Sequence, residues 1–175
     1  MDDFLELMKY TVPSLVVLIF TLLLVRWFLK SENDRRKQEL LIGQRKDALP
    51  LRIVAYERLT LFLERISAES IVIREQPNTS TVKELQAALL AAIRTEYEHN
   101  MAMQVHLPPS TWTLVRNAKE EMIRTVNISA SMVKPENPSI ALGKTILEQY
   151  PNGAAYHVKK ALDSLKVDVQ SFYSL

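Results

Sequence analysis

Apolar side chains fill almost every position between residues 10 and 29, and this stretch carries a single charge, Arg26. At about 1.5 Å per residue, a helix of this length measures roughly 30 Å, which is the thickness of a bilayer hydrocarbon core. A cleaved signal peptide would begin with positive charge and end in small residues, and neither feature is present. The pattern predicts a transmembrane helix at 10–29, preceded by an outer segment at 1–9 and followed by a basic juxtamembrane stalk at 30–46.

Beyond residue 46, apolar residues recur at helical spacing, and no segment alternates with the period of two that is typical of a half-buried strand. Leu49-Pro50 is expected to break the helix that precedes the domain. In the helix that follows, the apolar face comprises positions 51, 54, 55, 59, 62, 63 and 66. Thr81 and Glu84 have the spacing of a capping box, and Trp112 is expected to wedge between helices. The pattern predicts an all-α domain at 47–175 with four main helices and one short helix. The main helices are expected at 51–67, 82–106, 111–133 and 154–172, and the short helix at 139–149. Residues 68–79 are expected to form a connection in which Ile71–Ile73 packs on the bundle.

Charge around the predicted span sets its expected orientation. Acidic residues dominate before the span, and basic residues dominate after it. Because positive flanks stay in the cytoplasm, we expect the N-terminus outside the membrane and the C-terminal domain in the cytoplasm. Glu32 and Arg36 are spaced to form a helical ion pair. The basic residues expected to contact anionic lipid headgroups are Arg26, Lys30, Arg35, Arg36 and Lys37; the run lacks the interleaved aromatic residues of a nucleic-acid site, so no nucleic-acid partner is predicted.

Composition narrows the chemistry of the domain. The chain has 22 basic and 20 acidic residues; the eight basic and six acidic residues before position 47 leave 14 of each, so the domain is neutral. The absence of cysteine excludes disulfides, thiol catalysis and cysteine metal sites. The three glycines, Gly43, Gly143 and Gly153, are too scattered for a phosphate-binding loop. We therefore predict no cofactor and no catalytic residue.

One segment has the spacing of a metal site. Glu96 and His99 form a Glu-x-x-His pair on one helical face, as in di-iron helical bundles. Such sites need a second pair, and the other histidines, His106 and His157, have no glutamate three residues before them. A continuous helix to residue 106 would align Glu96, His99 and His106, which are the candidate ligands of a mononuclear site. The favoured interpretation is that these side chains make structural hydrogen bonds.

Several motifs resemble those of a family of uncharacterised small proteins from Bacteroidota, which have one N-terminal span and a helical tail. The motifs are the segments 49–52, 55–59, 62–66, 94–100 and 117–120, together with Trp112. The resemblance covers most of the chain up to about residue 130. It implies a protein of the cytoplasmic membrane of a Gram-negative cell, and it implies no activity.

Polar residues of these motifs lie on helices that are expected to be neighbours. A network such as Arg58–Glu96 or Glu57–His99 would fix the register between the helices, and the same face would alternatively be a docking site for a membrane complex. Its members are Tyr56, Glu57, Arg58, Glu96, Glu98, His99 and Asn100.

Together these observations predict a non-enzymatic, membrane-anchored interaction or scaffold protein, a subunit or accessory factor of a membrane complex. Its expected partners are anionic lipid headgroups and either another protein or a second copy of itself in the membrane. The alternative function is a metal-binding or enzymatic helical bundle that uses Glu96, His99 and His106.

Overall fold

Every regular element in the described part of the chain is a helix, which confirms the all-α fold class. The structure, a computed structural model, describes the backbone of residues 2–172 and the side chains of residues 15–36 and 49–172. The chain divides into two units, Met1–Leu49 and Pro50–Leu175. The α-helices are α1 (Asp2–Ile66), α2 (Ala68–Glu75), α3 (Val82–Asn100), α4 (Pro109–Ser131), α5 (Ser139–Gln149) and α6 (Ala154–Ser171), and 3₁₀ turns lie at Gln76–Asn78, Met101–His106 and Tyr150–Asn152.

The described side chains of the first unit are apolar and exposed between Leu15 and Leu29, except for Thr21 and Arg26. The predicted ion pair one turn further on is present, with Nε of Arg36 3.1 Å from Oε1 of Glu32. Among the side chains that the structure describes, no helix is both long enough and apolar enough to cross a membrane. The structure does not describe the side chains of residues 1–14, which include the predicted outer segment at 1–9 and the first five residues of the predicted span at 10–29. The transmembrane span therefore stays a prediction.

The predicted helix break at Leu49-Pro50 is wrong, because α1 is assigned from Asp2 to Ile66. Proline fixes φ near −65°, which is itself a helical value, and its cost inside a helix comes from the missing N–H and a clash with the preceding turn. That cost disfavours a continuous helix but does not forbid it.

The second unit is organised around one apolar core to which each of its helices contributes. The helical spacing predicts the α1 part of this core correctly at Ala55, Leu59, Phe62, Leu63 and Ile66. The buried set also includes Leu85, Leu89, Ile93, Met122, Ile146, Val158 and Leu165. The predicted apolar face of α1 also includes Leu51 and Val54, but both are exposed. Val54 is about 100° from Ala55 around the helix, which places it on the outward side of α1.

The predicted connection at 68–79 is partly helical, since α2 occupies its first eight residues. Ile71 and Val72 are buried against the bundle as predicted, whereas Ile73 points outward. Two helical turns are too few to show a period in the sequence, which explains why the pattern alone did not reveal α2.

The starts of α3 and α5 are tied together by backbone hydrogen bonds. Val82 N donates to Asn137 O over 2.9 Å, and Ser139 N donates to Ser80 O over 3.0 Å. The predicted capping box is present, because Glu84 N donates to the Thr81 hydroxyl while the Glu84 carboxylate accepts from Thr81 N. These contacts fix where α3 begins, and the end of α3 contributes one wall of the candidate site.

Candidate functional site

A small cleft lies between the C-terminal part of α1 and the end of α3. It measures about 210 Å³ and brings together several residues that the sequence singled out. We call it the α1–α3 cleft; its lining consists of Arg58, Leu61, Phe62, Arg65, Glu96, His99 and Asn100. The cleft therefore combines arginine, carboxylate, imidazole and amide groups above an apolar floor.

An ion pair crosses this cleft, and it is not the pair that the sequence suggested. Nη2 of Arg65 lies 2.8 Å from Oε1 of Glu96, and the two side chains are 54% and 18% exposed. Arg58, the predicted partner, lies two turns earlier on α1 and lines the cleft without an ion pair among the described residues. Glu96 therefore fixes the Arg65 guanidinium and leaves Arg58 facing solvent.

Asn100 and His99 close the C-terminal end of the cleft. Asn100 is 7% exposed, and its Nδ2 donates to the backbone oxygen of Glu96 over 2.8 Å. The side chain of Asn100 thus bonds back to the carbonyl four residues earlier, within the last turns of α3. His99 is exposed in the last turn, where a protonated imidazole would interact favourably with the helix dipole. Glu98 is exposed and does not contribute to the cleft lining.

The candidate metal ligands do not form a metal site in the described part of the chain. No group of three His, Cys, Asp or Glu side chains there is arranged to hold an ion. The α-helix ends at Asn100, and Met101–His106 continues as a 3₁₀ turn. A 3₁₀ helix has three residues per turn rather than 3.6, so His106 leaves the stripe that contains Glu96 and His99. The prediction of a continuous helix over 82–106 is wrong for this reason.

An aromatic column supports the cleft from below. The Phe62 ring lies 5.9 Å from the Tyr97 ring, and Tyr97 stacks on Trp112 with ring centroids 5.6 Å apart. Nζ of Lys119 sits 4.4 Å above the Tyr97 ring, a cation–π contact. Trp112 packs against the core, which confirms its predicted role as a wedge between helices. The column joins α1, α3 and α4 beneath the charged groups.

Tyr56 belongs to a different group from the cleft residues. Its hydroxyl lies 3.3 Å from Oδ2 of Asp168, and the same oxygen accepts from the Thr111 hydroxyl over 2.6 Å. Oγ of Ser164 lies 3.1 Å from Oγ1 of Thr111. We call these four residues the Asp168 junction. Tyr56 and Thr111 are buried, whereas Ser164 and Asp168 are half-buried, so the junction connects α1, α4 and α6 through polar contacts at the edge of the apolar core.

Burial raises the pKa of Tyr56, and the negative charge of Asp168 adds to the rise, while Arg52 acts in the opposite direction. The guanidinium of Arg52 also lies 4.3 Å above the ring of Phe172, which meets Tyr56 edge to face. The tyrosine thus stays protonated and donates to the carboxylate.

Sequence reasoning missed three members of this junction. Ser164 and Asp168 are one helical turn apart and border the apolar stripe of α6, and Thr111 directly precedes Trp112. The spacing of four between Ser164 and Asp168, beside the apolar stripe of α6, indicated that the two side chains lie next to each other on the helix. Their partner on α1 was not predictable from that spacing.

Glu57 lies neither in the cleft nor in the junction. It lines a groove of about 660 Å³ between α1 and α6, which we call the α1–α6 groove. Ile53, Leu165 and Val169 form its apolar floor, and Lys166 lies on the α6 wall. The predicted network is therefore divided: the cleft holds Arg58, Glu96, His99 and Asn100. Tyr56 and Glu57 both line the groove, and Tyr56 also belongs to the Asp168 junction.

The basic residues predicted to contact lipid belong to the first unit. Arg26, Lys30, Arg35 and Arg36 are exposed, and Arg36 pairs with Glu32. The side chain of Lys37 lies outside the described residues. Lys30 and Arg35 line a shallow surface depression together with Trp27 and Asp34.

Comparison with known proteins supplies a family and no activity. No curated protein matches the chain, and no solved structure matches it. The expectation of an uncharacterised family, drawn from the sequence motifs, is confirmed at that level. The family model that matches covers residues 2–172, and the chain belongs to the family of unknown function DUF7935.

Proposed function

We propose that the chain is a non-enzymatic interaction module anchored in a bacterial inner membrane. In this proposal, residues 10–29 insert in the bilayer, the N-terminus lies outside, and the helical bundle binds a protein partner in the cytoplasm. The resemblance to single-pass proteins of Bacteroidota supports the same placement.

The observation that carries the proposal is the surface of the first unit. Every large apolar side chain from Leu15 to Leu29 is 48–71% exposed, on all sides of the helix. A helix that is apolar all round is a core element or a membrane span, and an exposed apolar surface of this extent marks a contact with protein or membrane. Trp27 at one end suits the polar–apolar boundary of a bilayer, where aromatic rings are enriched.

The chemistry of the bundle supports binding rather than catalysis. The α1–α3 cleft offers an arginine that is held by Glu96 and a second arginine, Arg58, that faces solvent. The residues that line the cleft include no serine, threonine or cysteine that His99 could activate as a nucleophile. Protein interfaces combine an apolar centre with a polar rim, and the cleft has the same arrangement, with charged groups around an apolar floor.

Membrane flotation of the full chain tests the anchor. Wild-type protein is expected to float with vesicles and to resist alkaline carbonate extraction. Ile19→Arg with Leu23→Arg should reduce insertion, because each arginine near a helix centre costs about 2.5–3.5 kcal/mol on insertion scales. The matched control places the same substitutions at exposed apolar positions of α5, Ile140 and Leu147, and should float as wild type does. Wild-type protein that stays at the bottom of the gradient would overturn the anchor.

A reporter at the C-terminus tests the orientation. It should be active only as a cytoplasmic reporter, because basic residues follow the span. Replacing Arg35, Arg36 and Lys37 by glutamate should reduce that activity and raise the activity of a periplasmic reporter. Periplasmic activity in the wild type would contradict the proposed orientation.

A further inference from the structure

We infer that a second copy of this chain binds in the α1–α6 groove, so that the bundle forms a two-fold dimer. The inference deepens the proposed function by naming the partner. The inference rests on one part of the proposed function, the role in protein interaction, and it does not depend on the membrane anchor.

The shape of the surface is self-complementary. The groove has an apolar floor, and Leu61 stands 61% exposed at its edge. Leu61 also borders the α1–α3 cleft, which places it on the outermost line of α1. A two-fold interface uses the same patch on both subunits, and it therefore needs a protruding group beside a matching depression. Leu61 next to Ile53 and Val169 provides both on one face.

Charge on this surface is self-complementary as well. Glu57 stands on the α1 wall and Lys166 on the α6 wall, both are exposed, and neither has an ion pair among the described residues. If α1 of each copy lies in the groove of the other, Glu57 of each copy approaches Lys166 of its partner, and the contact occurs twice. The domain carries 14 basic and 14 acidic residues, so no net charge opposes association.

A small polar ligand fits this groove less well than a helix does. The buried polar group in the lining is Tyr56, and its hydroxyl is already bonded to Asp168. Small-molecule sites need a few polar groups that converge on the ligand to orient it. Two helices with an apolar floor between them instead match the mode in which an amphipathic helix lies in a groove.

Charge reversal in two distinguishable copies tests the interface. Full-length chains with different affinity tags are co-expressed, extracted in detergent micelles, and measured for co-purification and for dimer mass. Glu57→Lys alone and Lys166→Glu alone should each weaken self-association by about tenfold in Kd, because each creates two like-charge contacts. Mixing the two variants should restore pairing. One of the two contacts then joins the introduced lysine to the introduced glutamate, and the other joins the unchanged Glu57 and Lys166.

Leu61→Glu should also abolish pairing, whereas Ile140→Glu, the same change on exposed α5, should leave it intact. Circular dichroism checks that each variant stays folded. The chain has no cysteine, so a copy with Glu57→Cys and a copy with Lys166→Cys should be joined by a short bifunctional thiol crosslinker, whose reach exceeds that of a disulfide, and Lys144→Cys should not be joined to either.

Three results would overturn the inference: a monomeric wild type, pairing that survives Leu61→Glu, or charge variants that fail to recover when mixed. Flotation of the same variants separates the two proposals. A wild type that floats but does not pair contradicts the dimer alone, a wild type that pairs but does not float contradicts the anchor alone, and the interface variants should lose pairing and still float.

Discussion

Replacing Thr111 by valine tests whether the Asp168 junction contributes to the stability of the bundle. Thr111 is 1% exposed, and its hydroxyl lies 2.6 Å from Oδ2 of Asp168. Valine has nearly the same shape and lacks the hydroxyl, so the substitution removes the hydrogen bonds to Asp168 and Ser164 without opening a cavity. Tyr56 still donates to the carboxylate, and Asp168 is half-buried, so water can reach it.

The expected loss follows from these contacts. Hydrogen bonds to charged groups contribute about 1.5–3 kcal/mol, and the remaining partners of Asp168 place Thr111→Val near the lower end, at roughly 1.5–2 kcal/mol. Asp168→Ala should cost about 2–3 kcal/mol, because it deprives both Thr111 and Tyr56 of their acceptor. The double variant should be less destabilised than the sum of the single variants by about 1 kcal/mol, since the residues share one network.

Urea unfolding of the full chain in micelles measures these values. In a Trp27→Phe background, Trp112 is the single tryptophan, and its fluorescence reports the bundle. Thr113→Val is the matched control, because the Thr113 hydroxyl is exposed and donates only to Pro109 O in the preceding turn; it should change the free energy of unfolding by less than about 0.5 kcal/mol. Equal effects at 111 and 113, or strict additivity of Thr111→Val and Asp168→Ala, would refute the reasoning.

Three further predictions concern the same bundle. Arg65→Ala and Glu96→Ala should couple by about 0.5–1 kcal/mol in a double-mutant cycle of unfolding free energies, whereas Arg58→Ala and Glu96→Ala should be additive; the reverse result would restore the pairing suggested by the sequence. The contribution of Tyr56 should be fully present below its ordinary pKa of 10.0 and lost as pH rises through its raised folded-state pKa; denaturation on both sides of pH 10 should show a smaller alkaline loss in Tyr56→Phe. Leu59→Ala should cost about 2–5 kcal/mol, because Leu59 is fully buried and the change leaves a cavity; a cost below about 1 kcal/mol would contradict its place in the core.

Helix ends were predictable where residues next to them in the sequence mark the boundary. The helix predicted at 139–149 matches α5, because Pro138 precedes it and Tyr150-Pro151 follows it. The capping box at Thr81 fixed the start of α3 equally well. Such signals depend on residues a few positions apart, and a sequence displays them directly.

The end of α3 was not predictable in the same way. Residues 101–106 contain no strong helix breaker before Pro108, and the choice between α and 3₁₀ geometry there depends on packing. Asn100 bonds back to Glu96 O at this point, and asparagine favours such local bonds over a continuing helix. The proposed alignment of His106 with Glu96 depended on this choice.

The partner of Glu96 was unpredictable for a different reason. α1 presents cations at both 58 and 65, and both lie on the side of α1 that faces α3. Which guanidinium meets Glu96 depends on how far α1 is displaced along its axis relative to α3. The contact of Phe62 with Tyr97 sets that displacement, and its position is a property of the packed core rather than of either helix alone.

The polar contacts of α1 explain why its outward face is fixed. The apolar stripe that contains Leu59, Phe62 and Leu63 turns one face of α1 toward the core, and two polar contacts define the rotation more closely. Tyr56 bonds to α6, and Arg65 bonds to α3. These residues are about two and a half turns apart, so they hold opposite sides of the helix. A rotation of α1 about its axis moves both side chains away from their partners. In the orientation that keeps both bonds, Leu61 lines the α1–α3 cleft on one side and the α1–α6 groove on the other, and it remains exposed.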